Sequence, residues 1–452
     1  MKYLFILFAA ISISESSCNE TFLDVKPDKE LVVPSTLDDL QGLLDYYSVM
    51  NAYTPCFGEI SSDDYYVTFD KWNTLSGPDE KNAYIWAKDI FNDNTSLDWN
   101  GSYQVIFYAN NVLEGLTKID RASDSTQYSQ IRGRALFYRS FAFFRLAQIF
   151  SPPFDKSSSN NEYSIPLRLT SNLNVPVKRS TVKDVYNQIV SDLLISINLL
   201  PEYDTHKSRP VKAAAYALLA RTYLTMQDYD NALQYSDKAI KYNTYQLLDF
   251  NTLDASAIYP MTRYNSEVIF QNTLGSSRLL SSSRHIIDSG LYRSYLNNDI
   301  RRTAWFKETG SNITFKGSYD GSVQYFSGLA IDECYLTKAE CLARKGLTND
   351  AINTLNQFLV TRYQTGTYVP LEITDPKQAL SIILQERRKE LLFRGIRWND
   401  LRRLNLDPET AKTLYRDLNG KIYKLKPNSL NYTLPIPNDV IQMSGIPQNK
   451  RE

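Results

Sequence analysis

The chain carries 452 residues, long enough for two or three domains, and its 43% hydrophobic content suits a globular protein with a large buried core. Its 50 Lys and Arg balance 50 Asp and Glu, which argues against a nucleic-acid partner, since that would want a basic surface. Its two histidines, His206 and His285, stand outside any metal-binding motif, which argues against sites built on imidazole ligands.

Met1 to Ser17 reads as a signal peptide. Lys2 supplies the positive start, Tyr3 to Ile13 is an apolar stretch too short to span a bilayer, and small Ser16 and Ser17 precede Cys18. Small residues directly before a cysteine are what lipoprotein processing needs, so Cys18 is the expected lipid anchor, although Glu15 stands where an aliphatic residue is usual. No later segment has the length and apolarity of a membrane span, so attachment to a membrane rests on that lipid. Cys56, Cys334 and Cys341 are odd in number and cannot complete a disulfide framework. Cys334 and Cys341 lie seven apart in a helical pattern, about 10 Å along the axis. That is beyond disulfide reach, and buried free thiols are expected at both.

Beyond an irregular stretch from 51 to 98, apolar residues recur at i, i+3 and i+4 in a series of long segments. Trp99 to Ile119 and Ile131 to Phe150 form one pair; Thr181 to Leu200, Val211 to Met226 and Tyr229 to Tyr242 follow. After a second irregular stretch, 251 to 330, come Ile331 to Lys345, Asn349 to Tyr363 and Pro376 to Leu404. Two of these groups share a spacing: Ala220 is followed twelve residues later by Ala232 and then by Ala239, and Ala339 twelve residues later by Ala351. Small residues at such places let antiparallel helices approach closely, as in tetratricopeptide repeats. Gly346 can end one helix and Thr348 can cap the next. Ser236 stands where the repeat prefers an aromatic, so the pattern predicts a helical-repeat scaffold with large insertions and not a regular solenoid.

A set of short motifs then falls in one order: Phe22 to Pro27 (FLDVKP), Ser35 to Leu40 (STLDDL), Arg134 to Arg139 (RALFYR), and Arg179 to Tyr186 followed by Asp192-Leu193. Ala220 to Leu224 (ARTYL), Glu386 to Arg402, Leu434-Pro-Ile-Pro437 and Pro447-Gln-Asn449 complete it. Together they resemble the SusD/RagB family of outer-membrane lipoproteins of Bacteroidetes over nearly the whole mature chain. Where family members often carry Gly-Asp-Val-Pro, this chain has Ser151-Pro-Pro-Phe154 followed by Asp155 to Asn161. The resemblance implies a mainly α fold, with tetratricopeptide-like helix pairs in a right-handed superhelical scaffold packed against an irregular, loop-rich lobe. It implies a single mature domain, 18–452, with the scaffold at 99–250 and 331–404, insertions at 51–98 and 251–330, and a C-terminal segment 405–452. It also implies a surface-exposed, lipid-anchored location and a role: capture of a glycan, in some members a peptide, for delivery to a TonB-dependent SusC-like transporter.

The run Glu386 to Arg402 is the densest ionic cluster. Glu386 and Glu390 lie four apart, interleaved with Arg387, Arg388 and Lys389. Neighbouring cations would hold both ionised, the wrong state for a general acid. A structural clasp is the better reading, and Asp400 with Arg402 and Arg403 reads the same way. Gly395 marks a helix break. Glycoside hydrolysis needs two carboxylates facing each other across a cleft; Asp63 and Asp64 are adjacent and would diverge on an extended segment, though a loop could place them otherwise. Nucleophile elbows, phosphate-binding glycine loops and CxxC pairs are missing, and 17 glycines leave little room for a cofactor cradle. No catalytic residue, metal or cofactor is expected.

The binding surface is expected on the insertions, where aromatic rings are not needed for helix packing. Sugars present C–H faces that stack on rings and hydroxyls that want amides and carboxylates, and the 32 tyrosines suit such wet surfaces. The segment Asp63 to Asn73 mixes both kinds of group, and its position resembles that of part of the family's ligand site. Trp72 is the first stacking candidate, with Tyr66, Asp64 and Asn82 beside it. In the second insertion the candidates are Trp305, Tyr292, Tyr295 and Tyr319. Trp86, Trp99 and Trp398 flank or lie in helical motifs and are expected in the core. A protein-binding adaptor of the cell envelope is the alternative from another class.

Overall fold

The computed structural model describes residues 34–452 apart from 93, 121–123 and 243; the signal peptide, Cys18 and the Phe22 to Pro27 motif lie outside the described residues. Helix α1 (Leu37–Leu44) opens with a reciprocal cap, in which Thr36 Oγ1 accepts from Asp39 N and the Asp39 carboxylate accepts from Thr36 N. Helix α2 (Leu97–Leu116) and α3 (Ser125–Phe150) form the first long pair, and α4 (Val182–Leu199) packs on the other side of α3. From Gly133 to Phe150 every residue of α3 is buried, as befits a central helix covered on all sides. Several of its polar residues pair within the protein. Arg139 forms a two-pronged pair with Asp192 of α4 at 2.8 and 2.9 Å, and Arg134 reaches Asp204 at 2.7 Å. Gly133 permits the close approach of α3 to the end of α4: a Cβ there would lie 2.9 Å from Leu199 Cβ and 3.1 Å from Leu200 N.

Helices α5 (Lys212–Thr225) and α6 (Tyr229–Ile240) form the next hairpin, α6 packs on α7 (Ile331–Arg344), and α7 pairs with α8 (Thr348–Leu359). All the alanines of the shared spacing, at 220, 232, 239, 339 and 351, are buried at these contacts. Buried Ser236, where the repeat prefers an aromatic, tucks its hydroxyl onto Leu233 O at 2.9 Å. Gly346 takes φ +76° in the turn before α8. Thr348 is the first helical residue and not the cap; Leu347 occupies the cap position without a side-chain bond. Cys334 and Cys341 are buried free thiols of α7, and Cys56 is buried and free as well. The last long stretch divides into α9 (Pro376–Glu390) and α10 (Arg397–Leu404), with Phe393 and Gly395 at positive φ between them.

The two insertions meet in one irregular lobe. Tyr65 and Tyr66 pair antiparallel with Ile287 and Ile286, and Val268–Phe270 pairs with Leu329–Ala330. Further two-stranded ladders are Phe306–Thr309 with Asn312–Phe315 and Leu414–Leu418 with Lys421–Leu425. The lobe is joined to the helices by a buried ionic clasp. Arg301 bonds Asp299, Glu386 and Glu390 at 2.7–2.9 Å, and Arg362 sits between Glu267 and Glu390 at 2.8 Å from each. Arg394 pairs with Asp332, Arg387 with Asp400, and Arg403 with both Glu340 and Asp400. The structural reading of Glu386 to Arg402 thus holds, with one correction: Arg402 faces no carboxylate and donates to the carbonyls of Ala147, Gln148 and Ser151. Burial opposes ionisation of Glu390, yet Arg362 and Arg301 hold its pKa below the usual value, and Glu340 is held near about 2 against burial by Arg403 and Arg344. Carboxylate oxygens of Glu267, Asp332 and Glu390 lie within 4.8 Å of one another, but Arg362, Arg394 and Arg301 already supply the opposing charge that a metal would provide.

Candidate functional site

The segment from Ser62 to Thr74 is gripped from beneath and exposed above. Arg416, on the C-terminal hairpin, donates to Ser62 O and, at 2.7 Å, to Tyr65 O, while its guanidinium lies 4.2 Å from the Tyr84 ring centre. Tyr84 in turn accepts from Val67 N at 3.0 Å, and Trp86 Nε1 donates to Ser61 O at 2.9 Å. Asp63 and Asp64 converge on one set of cations instead of diverging: Arg397 and Lys412 reach Asp63 at 2.7 and 2.8 Å, and Arg388 reaches Asp64 at 2.7 Å. Asp63 is held well below the carboxylate range by Arg397 and Arg388 against its burial, whereas burial raises Asp64.

On this base Thr68 caps a short helix, Phe69–Asn73, its Oγ1 accepting from Lys71 N. The i, i+3 spacing sets Phe69 and Trp72 side by side, with ring centres 6.0 Å apart. Tyr66 (43% exposed) and Phe69 (38%) face solvent, and Trp72 is half-buried. Trp72 is locked in place, since its Nε1 donates to Lys81 O at 3.1 Å and the Lys81 ammonium lies 4.7 Å from its ring centre. Arg284 from the second insertion donates to Lys71 O and to Thr74 Oγ1, at 3.0 Å for the latter, and so fixes the far end of the short helix. Asn82 is half-buried behind it, its amide nitrogen donating to Ile90 O at 3.2 Å.

The other candidates are not available for stacking. Trp305 is 1% exposed, wedged against Phe250, Phe315 and Gly317, where a Cβ would lie 2.1 Å from its ring. Tyr295 is buried with its hydroxyl on Lys389 O at 2.9 Å, and Tyr319 is buried against Glu267 at 2.5 Å with Arg394 over its ring at 3.9 Å. Tyr292 is buried, covered by Arg302 at 4.7 Å and bonded to Glu308. Asp64 is sealed under Arg388. These side chains belong to the clasp and to the packing of the lobe. Trp86, Trp99 and Trp398 are buried, as expected of core residues. Phe69 escaped the sequence reading, although its threonine cap and three-residue spacing from Trp72 were there to see. A second feature had no signal: a cleft of about 930 Å³ between the 152–163 segment, the ends of α5 and α10, and the 428–450 segment. Its size is that of a ligand pocket.

Comparison with known proteins connects this architecture to a family. Residues 148–450 match the profile described as the SusD family, which is more than half of the chain. The chain belongs to the SusD family. Residues 21–224 also match a SusD-like profile described as starch-binding associating with outer membrane. Among curated relatives, SusD-like protein P2 of Formosa agariphila is 22% identical over 436 residues, covering 82% of each chain. A SusD-like protein of Bacteroides ovatus is 22% identical over 336 residues, 72% of this chain and 57% of that one. The fold matches solved structures: a SusD superfamily protein from Bacteroides thetaiotaomicron (TM-score 0.75, 23% identity, 92% of this chain and 100% of that one) is one. Another is a putative sugar binding protein from Bacteroides vulgatus (TM-score 0.73, 21% identity, 92% and 99% covered).

Proposed function

We propose that this SusD-family protein captures a glycan at the outer membrane, held there by a lipid on Cys18, and passes it to a TonB-dependent SusC-like transporter without cleaving it. The observation that carries the reading is exposed Tyr66 and Phe69 with half-buried Trp72 on a segment clamped by Arg416, Arg388 and Arg397. Rings held rigid in advance lose little entropy when a sugar stacks on them, so they contribute affinity without reacting. Asp63 and Asp64, at the base of the segment, are committed to arginine and lysine partners, which does not suit them as an acid and base facing each other across a substrate. The starch-binding description of the SusD-like profile and the sugar binding description of the Bacteroides vulgatus structure point the same way.

A glycan array followed by calorimetry tests this. Trp72→Ala and Phe69→Ala should each weaken binding of the best glycan about tenfold with unfolding unchanged. An intact parent that binds no glycan but captures a soluble envelope protein would favour the adaptor reading instead. Purification of the anchored protein should bring a large β-barrel partner with it.

A further inference from the structure

One side of α2 is open to solvent yet nearly free of charge. Leu97, Gly101, Gln104 and Tyr108 follow at i, i+4, i+7 and i+11 on a single helix face, and Leu97 is 71% exposed. The helix has two charged residues, and neither stands free. Asp98 is buried and accepts from Cys56 N and Phe57 N at 3.0 and 2.8 Å, and Glu114 accepts from Thr170 Oγ1 and Ser171 N at 2.7 and 2.8 Å. Aromatic rings widen the face on one side. Exposed Tyr46 stacks on Tyr108 with ring centres 6.3 Å apart, and exposed Tyr53 lies against Gly101, where a Cβ would be 3.4 Å from Tyr53 Cβ. On the other side Phe107 leads into a groove of about 510 Å³ between α2, the 166–177 segment and a short helix, Asn438–Ser444.

The groove is built in advance. Tyr103 Oη donates to Pro166 O at 2.8 Å and Asn110 Nδ2 to Arg168 O at 2.9 Å, which pins the 166–177 segment along α2. Arg168, the one charged residue of the lining, is turned back on its own segment and donates to Asn172 O at 2.7 Å and Val175 O at 2.6 Å. Leu173 and Met443 line the groove and are 76% and 80% exposed. Apolar side chains left open in a contiguous patch mark an interaction surface. Two observations choose the partner. The first is where the chain enters: the described residues begin at Pro34, just ahead of α1, and α1 lies on α2, with Leu40 Cδ2 2.7 Å from where a Gly115 Cβ would stand. With a lipid on Cys18, residues 18–33 span at most about 55 Å, so α1 and the face it borders stay within that distance of the bilayer. The second is charge. A helix face that rests on lipid carries Lys and Arg along its polar flank, and α2 has none. A charge-poor surface of aromatic and aliphatic side chains is what the core of a protein interface presents.

We infer that the open face of α2 and the groove beside it are the seat of the membrane-embedded transporter, whose apolar side chains fill the groove. The inference rests on the transporter reading and adds to it the surface that the partner covers. A groove fixed by Tyr103 and Asn110 accepts an anchoring side chain without first being ordered, which lowers the entropy cost of docking. Tyr66, Phe69 and Trp72 are not among the residues of this patch, so capture and docking use different side chains.

Photo-crosslinking of the full anchored chain in outer membranes tests it. A photoreactive phenylalanine analogue is placed at Gln104, at Leu173 or, as the control, at Val369, which is 78% exposed and outside the patch. Mass spectrometry then identifies what each position has joined. Positions 104 and 173 should crosslink to a SusC-like barrel at least tenfold more than position 369. Leu173→Glu and Met443→Glu change exposed side chains, so the urea midpoint and glycan binding should stay as in the parent while recovery of the barrel with the tagged chain falls at least tenfold. A barrel recovered equally well with both variants, or crosslinked from 369 and not from 104 or 173, overturns the inference and leaves the transporter reading standing. Crosslinks from 104 and 173 to lipid alone, to a second copy of this chain or to a protein other than the barrel overturn it as well. If the parent itself recovers no barrel, the transporter reading fails and the inference falls with it.

Discussion

Glu390→Ala strikes the centre of the clasp. Its Oε1 accepts from Arg362 Nε at 3.0 Å and Nη2 at 2.8 Å, and its Oε2 accepts from Arg301 Nη1 at 2.9 Å. Both guanidiniums are wholly buried, so neither can turn to water when the carboxylate is lost. Breaking a buried ion pair from one side costs about 3–5 kcal/mol. Arg362 keeps Glu267, and Arg301 keeps Asp299 and Glu386, which places the expected loss near the lower end, about 3 kcal/mol. Urea unfolding followed by far-UV circular dichroism measures this as a lower midpoint at unchanged slope. The double substitution Arg362→Met with Glu390→Leu should recover part of the loss, because a matched apolar pair carries no unpaired charge. Glu409→Ala, which breaks the exposed Lys377–Glu409 contact, should leave the midpoint where it was. A loss below about 1 kcal/mol for Glu390→Ala would refute the view that this cluster joins the lobe to the helices.

Burial raises Glu59 to about 8 and Asp98 to about 6, above their ordinary values of 4.5 and 3.8. The folded protein therefore binds more protons than the unfolded chain across that window, so their contribution to stability is full in acid and is lost as pH climbs toward 8. Glu59→Gln should flatten the fall of the unfolding midpoint between pH 5 and 8; an unchanged slope would rule Glu59 out as its source. Gly133→Ala should destabilise by about 1–2 kcal/mol, since crowding Leu199 and Leu200 outweighs the gain in helix propensity. A more stable variant in the same urea titration would show that the contact relaxes freely. Arg416→Ala should weaken glycan binding at the row although Arg416 reaches only the backbone and the buried rings of Tyr65, Tyr84 and Trp86 beneath it, with hydrogen exchange at Tyr65 to Phe69 reporting the released loop. Protection equal to the parent's would show that the segment holds itself.

Sequence alone sufficed for what depends on neighbours along the chain. The helix pairs follow from three- and four-residue apolar spacing, the alanines at 220, 232, 239, 339 and 351 mark where helices touch, and Gly395 divides α9 from α10. Trp72 and Phe69 share one short helix, so their adjacency was local too, even though Phe69 was overlooked. Thr348 shows the limit at element ends, where a shift of one residue turns a cap into a helical position. Tertiary structure decided which residues of the insertions meet water. Trp305, Tyr292, Tyr295 and Tyr319 look like free loop aromatics in sequence, yet Arg302, Arg301, Lys389 and Arg394 cover the three tyrosine rings and Phe250 and Phe315 enclose the tryptophan. Asp63 and Asp64 lie more than three hundred residues from the arginines that bind them. Exposure in an irregular segment has no period to read, because it is set by such distant partners, and so the cleft around Arg402 and Tyr432 existed only once the chain had closed on itself.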